Sequence, residues 1–161
     1  MSTLVLVQQI QHGKFLQSKI PGSVLVTSKL GTKKRENAIQ DLRDKKCLCM
    51  VATCLADEGL DIPTLDAALL AGGGASATRQ HQRIGRTLRK DKKAKTPRDR
   101  SIVVYYKHDV KYLKKHANKA LRIVKSEPKF NVVKSKGRNF IFNEISDVMG
   151  FDYHQKTIFD L

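Results

Sequence analysis

The chain has few cysteines, few acidic residues and no long hydrophobic run, and each shortage closes off a class of protein. The three cysteines, Cys47, Cys49 and Cys54, cluster in one apolar stretch. An odd count excludes a simple disulfide framework, and no second cluster is present to complete a tetrahedral zinc site. They are expected to be reduced and mostly buried. The five histidines have no matching carboxylate or cysteine spacing, so no metal site is expected. No serine or cysteine has the partners of a nucleophilic triad. No stretch approaches the roughly 18 apolar residues of a membrane span, and residues 1–25 lack a signal-peptide pattern. The expectation is a soluble intracellular protein, cytoplasmic or in the nucleoid or nucleus, with no membrane partner.

Acidic residues are scarce relative to basic ones: 15 Asp plus Glu face 31 Lys plus Arg, a formal net charge of +16. Such an excess in a chain that is 40% hydrophobic points to a folded protein with a polyanionic partner, nucleic acid first among them. The excess is uneven. Residues 1–89 hold 13 basic and 7 acidic residues, whereas residues 90–161 hold 18 and 8.

Short, nearly continuous apolar runs at 3–7, 24–27, 48–53, 67–71 and 102–106 read as strands covered on both faces. Longer amphipathic stretches lie between them. The clearest is 33–44, where Ala38, Ile39 and Leu42 fall at helical spacing among charged and amide residues. Strand and helix in repeated alternation specify an α/β doubly wound domain, a parallel sheet wrapped by helices through right-handed crossovers. From Lys90 to Arg100 the pattern breaks into a charged loop containing Pro97. Residues 109–125 then read as a basic amphipathic helix, with Val110, Leu113, Ala117, Leu121 and Val124 on one face. Lys111, Lys114, Lys115, Lys119, Arg122 and Lys125 occupy the rest. Beyond Pro128, FNVV and NFIF flank KSKGR as a plausible hairpin turning at Gly137. The division expected is a domain over 1–107 and a small basic helix and hairpin extension over 108–161.

The chemistry lies in two segments. VATCLADEGLD (51–61) leaves a strand end, where a parallel α/β sheet places ligand groups. RQHQRIGRTLR (79–89) sets Gln82, Arg83, Arg86 and Arg89 at three-residue spacing around Gly85. On a helix these arginines stack along one side and repel unless an anion sits opposite; a triphosphate meets that need.

Over residues 1–107 the sequence resembles the second RecA-like domain of superfamily 2 helicases. TLVLVQQIQHGKFL is similar to motif IV, VATCLADEGLDIP to motif V and QHQRIGRTLR to motif VI, in that order and spacing. The intervening GTKKRENAIQDLRDKKCLCMVAT resembles the helix and strand that precede motif V. The resemblance implies that Arg86 and Arg89 are arginine fingers reaching the γ-phosphate. It implies that Gln82 positions the attacking water or senses the γ-phosphate, and that Arg83 braces the motif in the nucleotide site. Asp61 is implied to bond the nucleotide ribose or a motif VI arginine, with Gly59 allowing close backbone approach. Thr53 and Arg35 are implied to touch nucleic-acid phosphates, and Lys111, Lys114 and Lys115 extend that contact on charge grounds. Gln82, rather than histidine, before Arg83 is more similar to the repair and phage recombination branches than to the DEAD-box RNA helicases. DNA is therefore favoured over RNA.

No Gly-Lys-Thr loop and no Asp-Glu-x-x magnesium motif appears in the chain. Gly72, Gly73 and Gly74 are not followed by Gly-Lys-Ser/Thr and read as a flexible strand exit. Ser76, Ala77 and Thr78 spell a helicase motif III triplet in the wrong place, a coincidence. ATP and Mg2+ are thus expected to be bound mainly by an N-terminal RecA-like domain, in cis or as a separate chain. The alternatives are a non-catalytic nucleic-acid-binding or regulatory module on the same fold, and a domain that docks a protein partner by its apolar cleft face.

Overall fold

Five aliphatic runs form the strands of one sheet in a computed structural model of the chain, which describes residues 2–53, 65–71, 102–105 and 111–125. The strands are β1 (Thr3–Val7), β2 (Val24–Val26), β3 (Cys49–Thr53), β4 (Ala67–Leu70) and β5 (Ile102–Tyr105). The helices are α1 (Ile10–Lys19), α2 (Thr32–Arg43) and α3 (Lys111–Lys125). The strand order is β2-β3-β1-β4-β5, and every pairing is parallel. This is the α/β parallel sheet expected from the sequence. The strands run a residue shorter than the apolar runs suggest: Thr27, Leu48 and Ala71 fall just outside β2, β3 and β4.

Right-handed crossovers decide which face each helix covers. The β1–α1–β2 connection moves one way across the sheet and β2–α2–β3 moves the other, so α1 and α2 lie on opposite faces. Side-chain alternation along the strands agrees with this. Leu4, Leu6, Val26, Met50, Ala52, Ala68 and Leu70 pack with Ala38, Ile39 and Leu42 of α2. On the other face, Val5, Val7 and Val51 pack with Leu16 and Ile20 of the α1 region. Leu42, Met50 and Val51 are fully buried, each contributing on the order of 1.5–3 kcal/mol of burial free energy.

Helix α1 comes close to the sheet at Gly13. A Cβ there would lie 2.9 Å from Leu25 Cδ1 and 3.3 Å from Val7 Cγ2. Glycine is retained here for proximity, against its poor helix propensity. Helix α2 ends on Asp44, after which Lys45 adopts a left-handed φ of 59°. Lys45 N donates to Leu42 O and Lys46 N to Asp41 O, the paired bonds of a Schellman close.

Helix α3 covers Lys111–Lys125 of the amphipathic pattern, and residues 109 and 110 lie outside the described residues. Ala117 is buried, as its place on the apolar stripe requires. The charged loop at 90–100 and the hairpin expected after Pro128 lie outside the described residues. The division at 107/108 falls in the undescribed segment before α3. Among the described residues no helix is long and apolar enough to cross a membrane.

Candidate nucleotide and nucleic-acid interface

The two edges of the sheet are built differently, and only the carboxyl edge resembles a binding site. Strand β1 exits toward β2 on one side, whereas β4 leads to β5 on the other. A crevice forms outside the carboxyl ends of neighbouring strands whose chains leave in opposite directions. That condition holds at β1 and β4, whose ends are joined by the Ala71 N to Leu6 O bond of 2.9 Å. Register places Val7 opposite Thr53 at the end of β3, and Leu6 opposite Leu70 at the end of β4. Thr53, Val7 and Ala71 therefore form a row across three strands. With strands about 4.8 Å apart, Thr53 and Ala71 are roughly 10 Å apart on either side of β1. The 54–64 segment starts at one end of this row and the 72–101 segment at the other.

Thr53 itself is described. It is only 2% exposed, and its hydroxyl meets no hydrogen-bonding partner among the described residues. An unmatched buried hydroxyl costs about 1–3 kcal/mol, so its position at a strand end is a place for a ligand oxygen or a neighbouring segment. Arg35 is half-buried in the first turn of α2, where its Nη2 donates to Leu30 O at 3.3 Å. It thus lies just beyond the carboxyl end of β2, the strand beside β3.

The opening of α2 carries more charge than the sequence reading assigned to it. Lys33 and Lys34 precede Arg35, both exposed, and the first turn has no acidic residue. The helix has no side-chain N-cap, and neither does α1, whose first turn is also free of acid. A helix N-terminus carries partial positive charge, so cations gathered there favour the approach of an anion. Gly31 followed by three basic residues within four positions was the available signal.

Arg86, Arg89, Gln82, Arg83, Asp61 and Gly59 lie outside the described residues. The structure brings Thr53, at the end of β3, and Arg35, at the opening of α2 beyond β2, to one edge, and describes Lys111, Lys114 and Lys115, all exposed, on α3. Among the described residues no three His, Cys, Asp or Glu side chains gather as a metal site.

The amino edge shows the contrast. Ser2, fully buried, donates its backbone N–H and its hydroxyl to the Asp66 carboxylate. Its carbonyl accepts from the N–H groups of Asp66 and Ala67, and Ile102 N donates to Asp66 O. Asp66 therefore ties β1, β4 and β5 together. Cys47 and Cys49 are free thiols at the same edge, with Cys47 Sγ 3.1 Å from Cys49 O. Burial, assisted by Cys47, pushes the Cys49 thiol up to about 11, so it stays protonated at neutral pH and is a poor nucleophile or metal ligand. Cys54 lies outside the described residues.

A parallel sheet with this order and binding edge defines a RecA-like α/β domain. Residues 1–91 match the helicase conserved C-terminal domain, and the chain belongs to that family, as the C-terminal domain of a superfamily 2 helicase. The chain is 30% identical over 128 residues to "Putative helicase 22" of Sulfolobus islandicus filamentous virus, covering 80% of this chain and 19% of that protein. It is 39% identical over 71 residues to the DNA 3'-5' translocase XPB2 of Sulfurisphaera tokodaii, covering 44% of this chain and 16% of that protein. The chain thus spans less than a fifth of the length of either relative. Among solved structures, the C-terminal domain of the Saccharomyces cerevisiae protein Dbp5 superposes with a TM-score of 0.69 at 17% identity, covering 93% of this chain and 84% of that one. The yeast DEAD-box splicing factor Prp28 superposes with a TM-score of 0.58 at 18% identity, covering 99% of this chain and 33% of that one. At such identities the superpositions establish the fold alone.

Proposed function

We propose that this chain supplies the C-terminal half of an ATP-dependent nucleic-acid helicase or translocase acting on DNA. The observation that carries the reading is the row Thr53–Val7–Ala71. The segment bearing Gly59 and Asp61 and the segment bearing Gln82, Arg83, Arg86 and Arg89 leave the carboxyl edge on either side of β1. Two segments rooted about 10 Å apart on one edge are within reach of a single triphosphate.

Within that reading each group has a separate task. ATP and Mg2+ would be held mainly by a first RecA-like domain, because this chain has no Gly-Lys-Thr loop. Bound there, the nucleotide supplies a phosphoryl group whose transfer spreads negative charge over its equatorial oxygens. Arg86 and Arg89 would approach that charge from this domain, and their planar forks suit two oxygens at once. Gln82 would orient water, Arg83 would brace the segment, and Asp61 would accept from the ribose beside Gly59. Thr53 and Arg35 would hold the strand's phosphates at the same edge. The unmatched Thr53 hydroxyl and the cation-rich opening of α2 support that assignment. Closure of the two domains around the γ-phosphate, and opening after hydrolysis, would then alternate the grip on the strand. DNA is preferred on Gln82 and on the similarity to a DNA translocase.

The test is reconstitution. The chain alone should show no turnover of ATP with any nucleic acid, and joining it to an N-terminal RecA-like domain should restore DNA-stimulated hydrolysis. Robust hydrolysis by the pure chain would overturn the half-motor reading. DNA binding by the joined protein with no hydrolysis would favour the non-catalytic binding module.

A further inference from the structure

Helix α3 contains six basic residues and no acidic one. All six are exposed, and five of them, Lys111, Lys115, Lys119, Arg122 and Lys125, fall within an arc of about 120° at about 100° per residue. Buried Ala117 lies on the other side of the helix. Lys111, Lys115 and Lys119 succeed one another at four-residue intervals, where like charges destabilise a helix by about 0.2–0.5 kcal/mol per pair. No carboxylate on the helix relieves this repulsion, and an anion along the face would.

The shape of the charge selects the anion. The helix is about 21 Å long, and a 120° arc on a cylinder 10–12 Å across is roughly 10 Å wide. A single strand offers one row of phosphates, which a narrow line of cations would match. A band about 10 Å wide is close to the roughly 12 Å between the phosphate rows bordering the major groove of B-form DNA. Duplex DNA carries about one charge per 1.7 Å of axis, which places about a dozen phosphates along the helix. This charge also lies beyond residues 1–91, the part matched to the helicase domain.

We propose that the basic face of α3 binds the phosphate backbone of double-stranded DNA, without sequence preference. The choice of nucleic acid over another polyanion rests on the motor reading above; the choice of duplex rests on the width of the face.

The experiment is equilibrium binding of the full chain to a labelled 20-base-pair DNA duplex, to one of its single strands and to an RNA duplex of the same sequence. Each is titrated with salt in the absence of ATP. Replacing Lys111, Lys115, Lys119 and Arg122 with Gln should lower the slope of log K against log salt on duplex DNA by two to four, at about 0.9 per lost contact. Duplex DNA affinity should fall at least tenfold and single-strand affinity less than threefold. Replacing the exposed lysines Lys14, Lys19, Lys45 and Lys46 with Gln removes the same charge elsewhere and should leave the slope within one unit. The variant carrying Lys111→Arg, Lys115→Arg and Lys119→Arg should keep the wild-type slope, separating contact from any loss of helix seen by circular dichroism. An unchanged duplex slope overturns the proposal. So does an equal loss on single strands or on the RNA duplex, or binding to polyglutamate with no binding to duplex DNA. Because no nucleotide is present, failure here leaves the reconstitution test of the motor untouched, and failure there leaves this result standing.

Discussion

The amino and carboxyl edges of the sheet are made from the same five strands but solve opposite problems. At the amino edge nearly every polar group described is answered within the chain. Ser2 and Asp66 lock β1 to β4, and α2 closes on the paired bonds of Lys45 and Lys46. The turn after α1 is completed by Ser23 Oγ donating to Ile20 O at 2.7 Å, with Gly22 at a positive φ of 71°. At the carboxyl edge the helix N-termini lack side-chain caps and acidic first-turn residues, and Thr53 Oγ1 is unmatched among the described residues. One edge holds the fold together. The other gathers the exposed lysines of α2 and a Thr53 hydroxyl with no described partner.

The sharpest way to break this contrast is to remove its strongest tie. Asp66→Ala should destabilise the chain by about 2–4 kcal/mol, since it deletes two bonds to a charged acceptor and strands the buried Ser2 N–H. Urea denaturation would measure it. A loss below about 0.5 kcal/mol would mean that the amino edge is not the structural one. Thr53→Val should behave in the opposite manner. Valine keeps the shape and removes a hydroxyl that meets no described partner, so stability should stay within about 1 kcal/mol while DNA binding weakens several-fold. A loss of stability like that of Asp66→Ala would show that Thr53 is a structural tie as well. The smallest effect expected is at Lys45. Glycine relieves the left-handed φ of 59°, and Lys45→Gly should raise stability by about 0.5–1 kcal/mol with DNA binding unchanged.

The same contrast explains what could be read from the sequence. Strands buried on both faces must be apolar throughout, so β1 to β5 stand out to within a residue at their ends. Helix α2 is legible because Ala38, Ile39 and Leu42 repeat among charges, and α3 because its basic residues frame an apolar stripe. The limits of α1 are not legible. Its residues IQHGKFLQSK have weak amphipathic contrast and place Gly13 mid-helix, and the reason for that glycine is contact with Leu25, Val7 and Val51, distant in sequence. The Ser2–Asp66 clasp is hidden for the same reason, being a contact across 64 residues that no local pattern announces. The edge that Thr53 and Arg35 share follows from strand order, while their role there is what the resemblance implies. The roles of Arg86 and Arg89 are what the resemblance to motif VI implies, and both lie outside the described residues.

The central claim is that this domain acts on transition-state charge as well as on the strand. Its most direct test is Arg86→Ala in the reconstituted two-domain protein, with DNA-stimulated ATP hydrolysis and equilibrium DNA binding measured on the same preparation. The account predicts turnover lower by about 10³-fold or more, with DNA affinity within a few fold of wild type, because a finger serves the transferring phosphoryl group rather than the strand. Full turnover with lost DNA binding would contradict it and assign the chain to the nucleic-acid-binding modules.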